Sequence, residues 1–228
     1  MKKIVIGVPS TTTLVSAEFS KSLVHTVQFG LENDIAFFVE FNSNTPWAEV
    51  NKTAIANKVL TSETADGVVF LSPTLSWSPK SLISLINSGK DIVSGIFPEP
   101  TTVELLYNVK LDENMDIQGS ELLAEYVNMD ACYVSKEALS KISKHCEVTP
   151  DNKFFWFFKS SLENGMFQPD YVNFCKAALY AGVPINVEKT ADFVNIGEIN
   201  FEGNFEKHMQ TTWVNSQAEL QDIERGLN

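Results

Sequence analysis

Small polar residues follow two apolar runs of this chain, at positions where a strand would end. The two runs are residues 4–8 and 68–71. The residues that follow them are Pro9, Ser10 and Thr11 in one place and Ser72 and Thr74 in the other. Hydroxyl groups in such loops could form hydrogen bonds to a nucleotide, but serine and threonine after a strand are equally ordinary turn formers.

Two acidic residues stand where a carboxylate could take part in chemistry. Asp170 follows Pro169 at the start of a predicted helix, where it could act as a general base that takes a proton from an acceptor hydroxyl. The same position also suits an aspartate that caps the free backbone amides of the helix. Glu40 stands at the end of a predicted strand, where it could bind a ribose or a base or lie in solvent.

The elements that would position these residues alternate between strand and helix through the first half of the chain. Short β-branched runs predict strands, and apolar residues at helical spacing predict helices. The predicted order is a strand at 4–8, a helix at 17–31, a strand at 35–41, a helix at 49–60, a strand at 68–71, a helix at 81–86 and a strand at 91–96. This alternation is typical of a parallel sheet that helices cover on both faces, with ligands outside the carboxyl ends of the strands.

Apolar spacing also predicts which faces of the first two helices are buried. In the helix at 17–31, Ser16 is a possible cap. The predicted buried residues are Phe19, Leu23, Val27 and Leu31 in that helix and Val50, Ile55 and Val59 in the helix at 49–60.

The second half of the chain has a different pattern but no clear domain boundary. Strands are predicted at 105–111, 122–127 and 183–187, a strand followed by a helix at 133–142, and a helix at 171–181. Residues 205–227 are weakly amphipathic and could dock as a helix or trail free. We therefore expect one domain over residues 1–205 and a C-terminal helical extension or tail over 206–228.

Composition limits the classes of function. The chain has 228 residues, of which 44% are apolar and sixteen are phenylalanine, and these values exclude a disordered protein. The formal charge of −12 argues against stable sequence-independent binding to nucleic acid, although DNA delivered by a partner protein stays open as an acceptor. Three cysteines without CxxC spacing indicate reduced thiols. With no signal peptide or membrane-spanning run in the sequence, we expect a soluble cytoplasmic protein that contacts no membrane.

Several short motifs, in this order, resemble those of the GT-A family of nucleotide-sugar glycosyltransferases, particularly small phage-encoded members. The segments that carry the resemblance are Ile6-Gly-Val-Pro9, Ile55-Ala-Asn57, Asp66-Gly-Val-Val-Phe-Leu71, Lys90-Asp-Ile-Val-Ser-Gly-Ile-Phe-Pro98, Pro169-Asp-Tyr-Val-Asn-Phe-Cys175 and Phe193-Val-Asn-Ile-Gly197. The resemblance implies an α/β, GT-A-like single domain with a central, mostly parallel sheet flanked by helices. It also implies a nucleotide-sugar site, which we predict at Pro9, Ser10, Thr11, Glu40, Asn57, Ser72, Thr74 and Asn195, with Asp170 as catalytic base.

The departures from the family pattern all fall on the residues that carry its chemistry, including the metal site. Ser72 and Thr74 stand where the family has two metal-binding aspartates, and Asn195 stands where it has a histidine. Pro169 replaces the first acid of the family's Glu-Asp pair. Divalent cations such as Mg²⁺ prefer carboxylate oxygens, so we expect no bound metal and no other cofactor. No local cluster of lysine or arginine in the sequence offers a replacement charge for a diphosphate.

The sequence therefore leaves two main functions open. The first is metal-independent transfer of a hexose or pentose from a nucleotide-diphosphate sugar to an unknown acceptor, such as a modified DNA base, a glycan or a protein. The second is a catalytically inactive homologue that acts as a binding or scaffold subunit. It could form a homo-oligomer or pair with an active transferase. The resemblance to phage proteins would place either one in a host cytoplasm.

Overall fold

Nine of the eleven described strands form one mixed sheet, in which six strands run in the same direction, and the other two form a separate hairpin. The computed structural model describes residues 1–99, 106–112, 122–150, 153–196 and 204–209. Its strands are β1 (Lys2–Pro9), β2 (Ile35–Asn42), β3 (Gly67–Leu71), β4 (Leu75–Trp77), β5 (Ile92–Ile96), β6 (Val109–Leu111), β7 (Leu122–Val127), β8 (Ala131–Ser135), β9 (Ser161–Glu163), β10 (Met166–Gln168) and β11 (Ile185–Asn195). Its named helices are α1 (Ala17–Glu32), α2 (Ala48–Thr61), α3 (Pro79–Asn87), α4 (Lys136–Ser143) and α5 (Asp170–Tyr180).

The strand order explains which loops can meet. Within the described residues the order is β2-β1-β3-β8-β5-β11-β7-β6, and the short β4 pairs with β11. Strands β2, β1 and β3 are parallel, and so are β5 and β11. Strand β8 lies between β3 and β5 and is antiparallel to both. The expected single α/β domain with a mostly parallel sheet is thus present, but with one antiparallel strand in its centre.

The sheet buries both of its faces. Alternate residues of the strands point into two apolar clusters, one under α2, α4 and α5 and the other under α1 and α3. In β3, for example, Val68 and Phe70 belong to the first cluster, and Val69 and Leu71 belong to the second. A strand buried on both faces reads as a continuous apolar run, which is why the sequence identified it.

Helix α1 begins as predicted but is rotated relative to its predicted face. The Ser16 side chain accepts a hydrogen bond from the Phe19 amide and caps the helix. The buried residues of α1 are Phe19, Ser22, Thr26 and Gly30, while Leu31 is 65% exposed. The reason is Trp77, whose backbone and indole N–H groups donate to Ser22 Oγ and Thr26 Oγ1 at 3.1 Å and 2.8 Å.

Three parts of the second half differ from the predicted elements. The strand predicted at 105–111 is formed only at Val109–Leu111, and Leu105 lies outside the described residues. The strand predicted at 183–187 continues to Asn195, with an irregularity after Val187. The hairpin β9–β10 was not predicted, although its turn is Asn164-Gly165 with both residues at positive φ, which is a strong hairpin signal.

The remaining predictions concern the cysteines, the C-terminus and membrane segments. All three cysteines are free thiols, with Cys132 and Cys175 buried and Cys146 half-buried. Residues 205–209 are helical, but 210–228 lie outside the described residues, so the boundary near 205 stays a prediction. Among the described helices, none has the length and apolar character needed to cross a bilayer.

Candidate functional site

The loop after β3 and the end of β11 meet at the carboxyl edge of the sheet. The Ser72 and Thr74 hydroxyls lie 2.9 Å apart, and the Thr74 carbonyl accepts a hydrogen bond from the Ile196 amide at 2.7 Å. Asn195 pairs with Leu75 in the β4–β11 ladder. The tertiary structure therefore brings Ser72, Thr74 and Asn195 together, because β4 folds back onto β11.

The loop after β1 lies at the same edge of the sheet. Ser10 is buried, and its hydroxyl forms hydrogen bonds with the backbone of Thr12, while Thr11 is exposed. Pro9 ends the strand opposite Asn42 of β2. The Asn51 side chain, in the first turn of α2, donates to the Ser10 carbonyl at 2.9 Å. This bond fixes the start of α2 against the loop after β1.

The residue after Asn51 is a buried lysine that the sequence did not single out. The Lys52 side chain is 7% exposed, and its ammonium lies 3.1 Å from Asp170 Oδ2 and 4.0 Å from Asp130 Oδ1. Its nitrogen also lies 5.8 Å from the centre of the Phe158 ring. One buried cation thus joins α2, the start of α5 and the turn before β8.

Electrostatics keep this lysine charged. Burial alone would lower the pKa of the Lys52 ammonium, but the carboxylates of Asp130 and Asp170 outweigh burial and raise the pKa above its usual value of 10.5. The Asp130 backbone carbonyl accepts a hydrogen bond from the Ser72 amide at 2.9 Å. The sequence has no local cluster of lysine or arginine for this edge of the sheet, but folding carries a single lysine, Lys52, into it.

The carboxylate of Asp170 forms an ion pair instead of capping its helix. Asp170 is the first residue of α5, but its carboxylate makes no capping hydrogen bond to the helix and instead accepts one from Lys52. Its side chain is 15% exposed, compared with 30% for Asp130. Asp170 can still use its other carboxylate oxygen as a base, and Asp130 is the more accessible carboxylate of the pair. The catalytic role of Asp170 stays a prediction.

A third carboxylate lies on the other side of the Asp130 turn. Glu99 follows β5, and its Oε1 accepts a hydrogen bond from Asn128 Nδ2 at 3.3 Å. Burial raises the pKa of the Glu99 carboxyl above its usual value of 4.5, the bond from Asn128 opposes this, and the negative charge of Asp130 adds to the rise. The site thus contains one fixed cation and three carboxylates in different environments, a combination suited to proton transfer.

Asn57 and Glu40, two of the predicted ligand-binding residues, already bond to other groups of the protein. The Asn57 side chain is buried, donates to the carbonyls of Thr53 and Phe155, and accepts from the Phe155 amide at 2.9 Å. Glu40 lies on the edge strand β2 and forms an ion pair of 2.5 Å with Lys58. Asn57 therefore holds Phe155 against α2, and Glu40 lines a groove between β2 and α2.

The donor set at the edge fits a polar ligand better than a metal ion. Ser72, Thr74 and Asn195 contribute hydroxyl and amide groups without charge, whereas Mg²⁺ and Mn²⁺ prefer carboxylates. Within the described ranges, no three side chains of histidine, cysteine, aspartate or glutamate cluster as metal ligands. This part of the site could form hydrogen bonds to hydroxyl-rich or phosphate groups.

Sequence reasoning missed Lys52 and Asp130 as members of this site. A lysine inside a helical pattern is exposed by default, and no local signal marks one whose partner lies 118 positions along the chain. A weak signal did exist in α2, where four polar residues fall on the buried side. They are Asn51, Lys52, Thr53 and Asn57.

Comparison with known proteins gives the fold and no family. No protein-family model matches the chain, and no curated protein matches it. Among solved structures, the chain is similar to A197 from STIV, with a TM-score of 0.53 and 14% sequence identity. The similarity covers 90% of this chain and 95% of A197. At this level of identity the similarity shows that the two proteins share a fold and shows nothing further.

Proposed function

We propose that this chain is a GT-A-like glycosyltransferase that transfers a sugar from a nucleotide-diphosphate sugar to an acceptor without a divalent metal. The observation that carries this proposal is the buried Lys52 ammonium at the carboxyl edge of the sheet, next to the loops that begin at Ser10 and Ser72. The resemblance of the sequence motifs to nucleotide-sugar transferases supports the same assignment.

The charge of Lys52 would serve the diphosphate leaving group. Negative charge builds on the diphosphate as the bond to the sugar breaks, and transferases stabilise it with cations or fixed dipoles. Asp130, at 4.0 Å, holds the ammonium less closely than Asp170, at 3.1 Å. A phosphate oxygen of the donor would therefore displace Asp130 from Lys52, while Asp170 keeps its hydrogen bond. The exposed Thr11 hydroxyl and the hydroxyls of Ser72 and Thr74 would bind the rest of the donor.

The chemical step would use a carboxylate as base. The acceptor hydroxyl oxygen attacks the anomeric carbon, the bond from that carbon to the diphosphate breaks, and the diphosphate leaves with the electron pair. The hydroxyl proton passes to the free carboxylate oxygen of Asp170. A modified DNA base, a glycan and a protein side chain all carry a suitable hydroxyl. The charge of −12 makes DNA a suitable acceptor only when a partner protein delivers it.

Donor binding is the first test. Thermal unfolding with a panel of nucleotide-diphosphate sugars should show stabilisation of about 2.7 kcal/mol when the ligand is at ~100 times its dissociation constant. The shift should be the same with Mn²⁺ and with EDTA. Asp130→Asn should increase the shift, because it removes the carboxylate that competes with phosphate for Lys52. Lys176→Gln is the control, since that lysine forms an exposed ion pair with Glu163 of the hairpin β9–β10. A shift that needs Mn²⁺ would overturn the metal-independent mechanism.

The inactive-homologue function is a second candidate, and the ion pair between Lys52 and Asp170 favours it. One oxygen of the Asp170 carboxylate already accepts a hydrogen bond from the buried ammonium, so it is not free to take a proton from an acceptor. A donor-dependent shift without sugar transfer or donor hydrolysis would support a binding or scaffold subunit. Turnover that Asp170→Asn abolishes, with the shift kept, would support the transferase. No shift with any nucleotide sugar would reject donor binding in both forms.

A further inference from the structure

The two ends of the sheet are built differently. At one end β6 has three residues and displays Lys110, which pairs with Glu125 at 2.6 Å. Short length and charge are two ways in which proteins protect a sheet edge from pairing with another chain. At the other end β2 has eight residues, with Phe38 53% exposed and Phe41 50% exposed. Its sequence contains no lysine, arginine or proline.

Two backbone hydrogen bonds at the ends of the β1–β2 ladder show which backbone groups of β2 point outward. The Lys2 amide donates to the Asp34 carbonyl at 2.8 Å, and the Ser10 amide donates to the Asn42 carbonyl at 3.0 Å. In a parallel ladder these bonds mean that the even-numbered residues of β2 turn their backbone groups toward β1. The outward N–H and C=O groups belong to Ile35, Phe37, Val39 and Phe41. No described strand pairs with them.

We propose that β2 pairs antiparallel with β2 of a second copy, so that two sheets join across a two-fold axis at Phe38. In this register Ile35 lies opposite Phe41 of the second copy, and Phe37 lies opposite Val39 of the second copy. Every outward backbone group of the strand then has a partner. The two Phe38 residues form a non-hydrogen-bonded pair, the type in which opposing side chains come closest, with Cα atoms about 4.5 Å apart.

Charge favours a second copy at this edge. A chain with a charge of −12 repels its own copies over most of its surface. The β2 edge is an exception, because its one charged side chain, Glu40, is neutralised by Lys58. In the proposed register Glu40 lies opposite Ala36 of the second copy, so the two glutamates do not face each other. Like charges directly opposite each other would be destabilising.

The shape of the surface on both faces of β2 also suits pairing with a second copy. A groove of about 360 Å³ lies between β2 and α2, beside Phe38, and its apolar lining includes Val5, Ile55 and Val59. On the other face of the strand, the Phe41 ring packs edge-on against Phe19 at 6.3 Å and leaves half of its surface exposed. Pairing of two copies would cover Phe38 and Phe41 together, and such a symmetric contact closes as a dimer.

The mass in solution tests this inference independently of any enzymatic activity. Sedimentation equilibrium or light scattering at micromolar concentration should give twice the chain mass of 25.4 kDa. Val39→Pro should reduce the mass to 25.4 kDa. Its amide points outward and is not needed for the β1–β2 ladder, so circular dichroism should be unchanged. Phe38→Lys should act in the same way. The control is Leu162→Lys, on the hairpin β9–β10, where the leucine is 76% exposed.

Disulfide trapping tests the register. In a Cys146→Ser background, Phe38→Cys should form a cross-linked dimer on oxidation, because the two Cα atoms are within disulfide reach. Glu40→Cys should not, since its opposite residue is Ala36 of the second copy. A monomeric wild-type chain, open-ended assemblies, a dimer that Leu162→Lys but not Val39→Pro dissociates, or cross-linking at position 40 instead of 38 would each overturn the proposal.

Discussion

Helices α2 and α3 pack on opposite faces of the same sheet and are held there by different interactions. Helix α3 buries Leu82, Ile83, Leu85 and Ile86 on one stripe, and Ser78 caps its first turn. Helix α2 buries Ile55 and Val59, but it also buries four polar side chains. Each of these polar side chains has a partner in another segment or in its own helix. The helix with the weaker apolar pattern is therefore the one that carries the candidate site.

The difference has a physical basis. A buried apolar stripe needs only a complementary apolar surface, whereas a buried polar group costs free energy unless a specific partner meets it. Thr53 and Asn57 meet the backbone of residues 155–158, and Lys52 meets two carboxylates. Such contacts are directional, so they fix the position of α2 relative to α5 more closely than apolar packing would.

The largest effect should come from removing the buried cation. Lys52→Met leaves Asp170 and Asp130 without their counter-charge and should lower the free energy of unfolding by about 3–5 kcal/mol, measured by urea denaturation. Lys58→Met is the matched control in the same helix, and its exposed pair with Glu40 should be worth about 1 kcal/mol or less. Equal costs for the two variants would contradict the description of Lys52 as a buried ion-pair centre.

Shortening a buried side chain of α3 should cause the next largest loss in the free energy of unfolding. Leu85 is fully buried, and Leu85→Ala should cost about 2–5 kcal/mol, because it removes apolar contacts and leaves a cavity. Chemical denaturation measures this value. Nucleotide-sugar binding should be unaffected at temperatures where the variant is folded, since α3 contributes no residue to the site. Loss of binding in the folded variant would show that α3 is coupled to the site.

A smaller effect should come from removing the hydrogen bonds between the Asn57 side chain in α2 and the backbone of Phe155. Asn57→Ala leaves both backbone groups of Phe155 without their side-chain partner and should cost about 1–3 kcal/mol. Asn33→Ala removes an exposed side-chain bond to the Phe29 carbonyl and should change stability by about 0.5 kcal/mol or less. If Asn57→Ala loses nucleotide-sugar binding at full stability, Asn57 belongs to the ligand site and does not serve only to hold Phe155.

The smallest effect concerns Glu99 and depends on pH. Because the folded pKa of Glu99 is raised above 4.5, its contribution to stability is present below pH 4.5 and is lost as the pH rises through the folded pKa. Glu99→Gln should therefore be slightly more stable than the wild type at neutral pH, and the difference should vanish below pH 4.5. Thermal unfolding across this range measures it. A less stable variant at neutral pH would mean that the carboxylate, rather than the acid, is the favoured form.

Much of the fold could be predicted from the sequence, because most elements have a clear period. The helix predicted at 17–31 is Ala17–Glu32, and the strand predicted at 68–71 is Gly67–Leu71. The antiparallel position of β8 could not be predicted, since the direction of a strand depends on how the chain returns to the sheet. The buried face of α1 was displaced for a related reason, because Trp77 of the unpredicted β4 packs against Ser22 and Thr26.

The candidate site, like the fold, could be predicted from the sequence only in part. The sequence by itself determined the polar loops after β1 and β3 and the start of a helix at Asp170, because these depend on local residue chemistry. Only the tertiary structure decided that Lys52 would lie between Asp130 and Asp170 and that Asn57 would hold Phe155. Charge and hydrogen-bond partners act through space over a few ångströms, and the distance between two residues along the chain does not determine that separation.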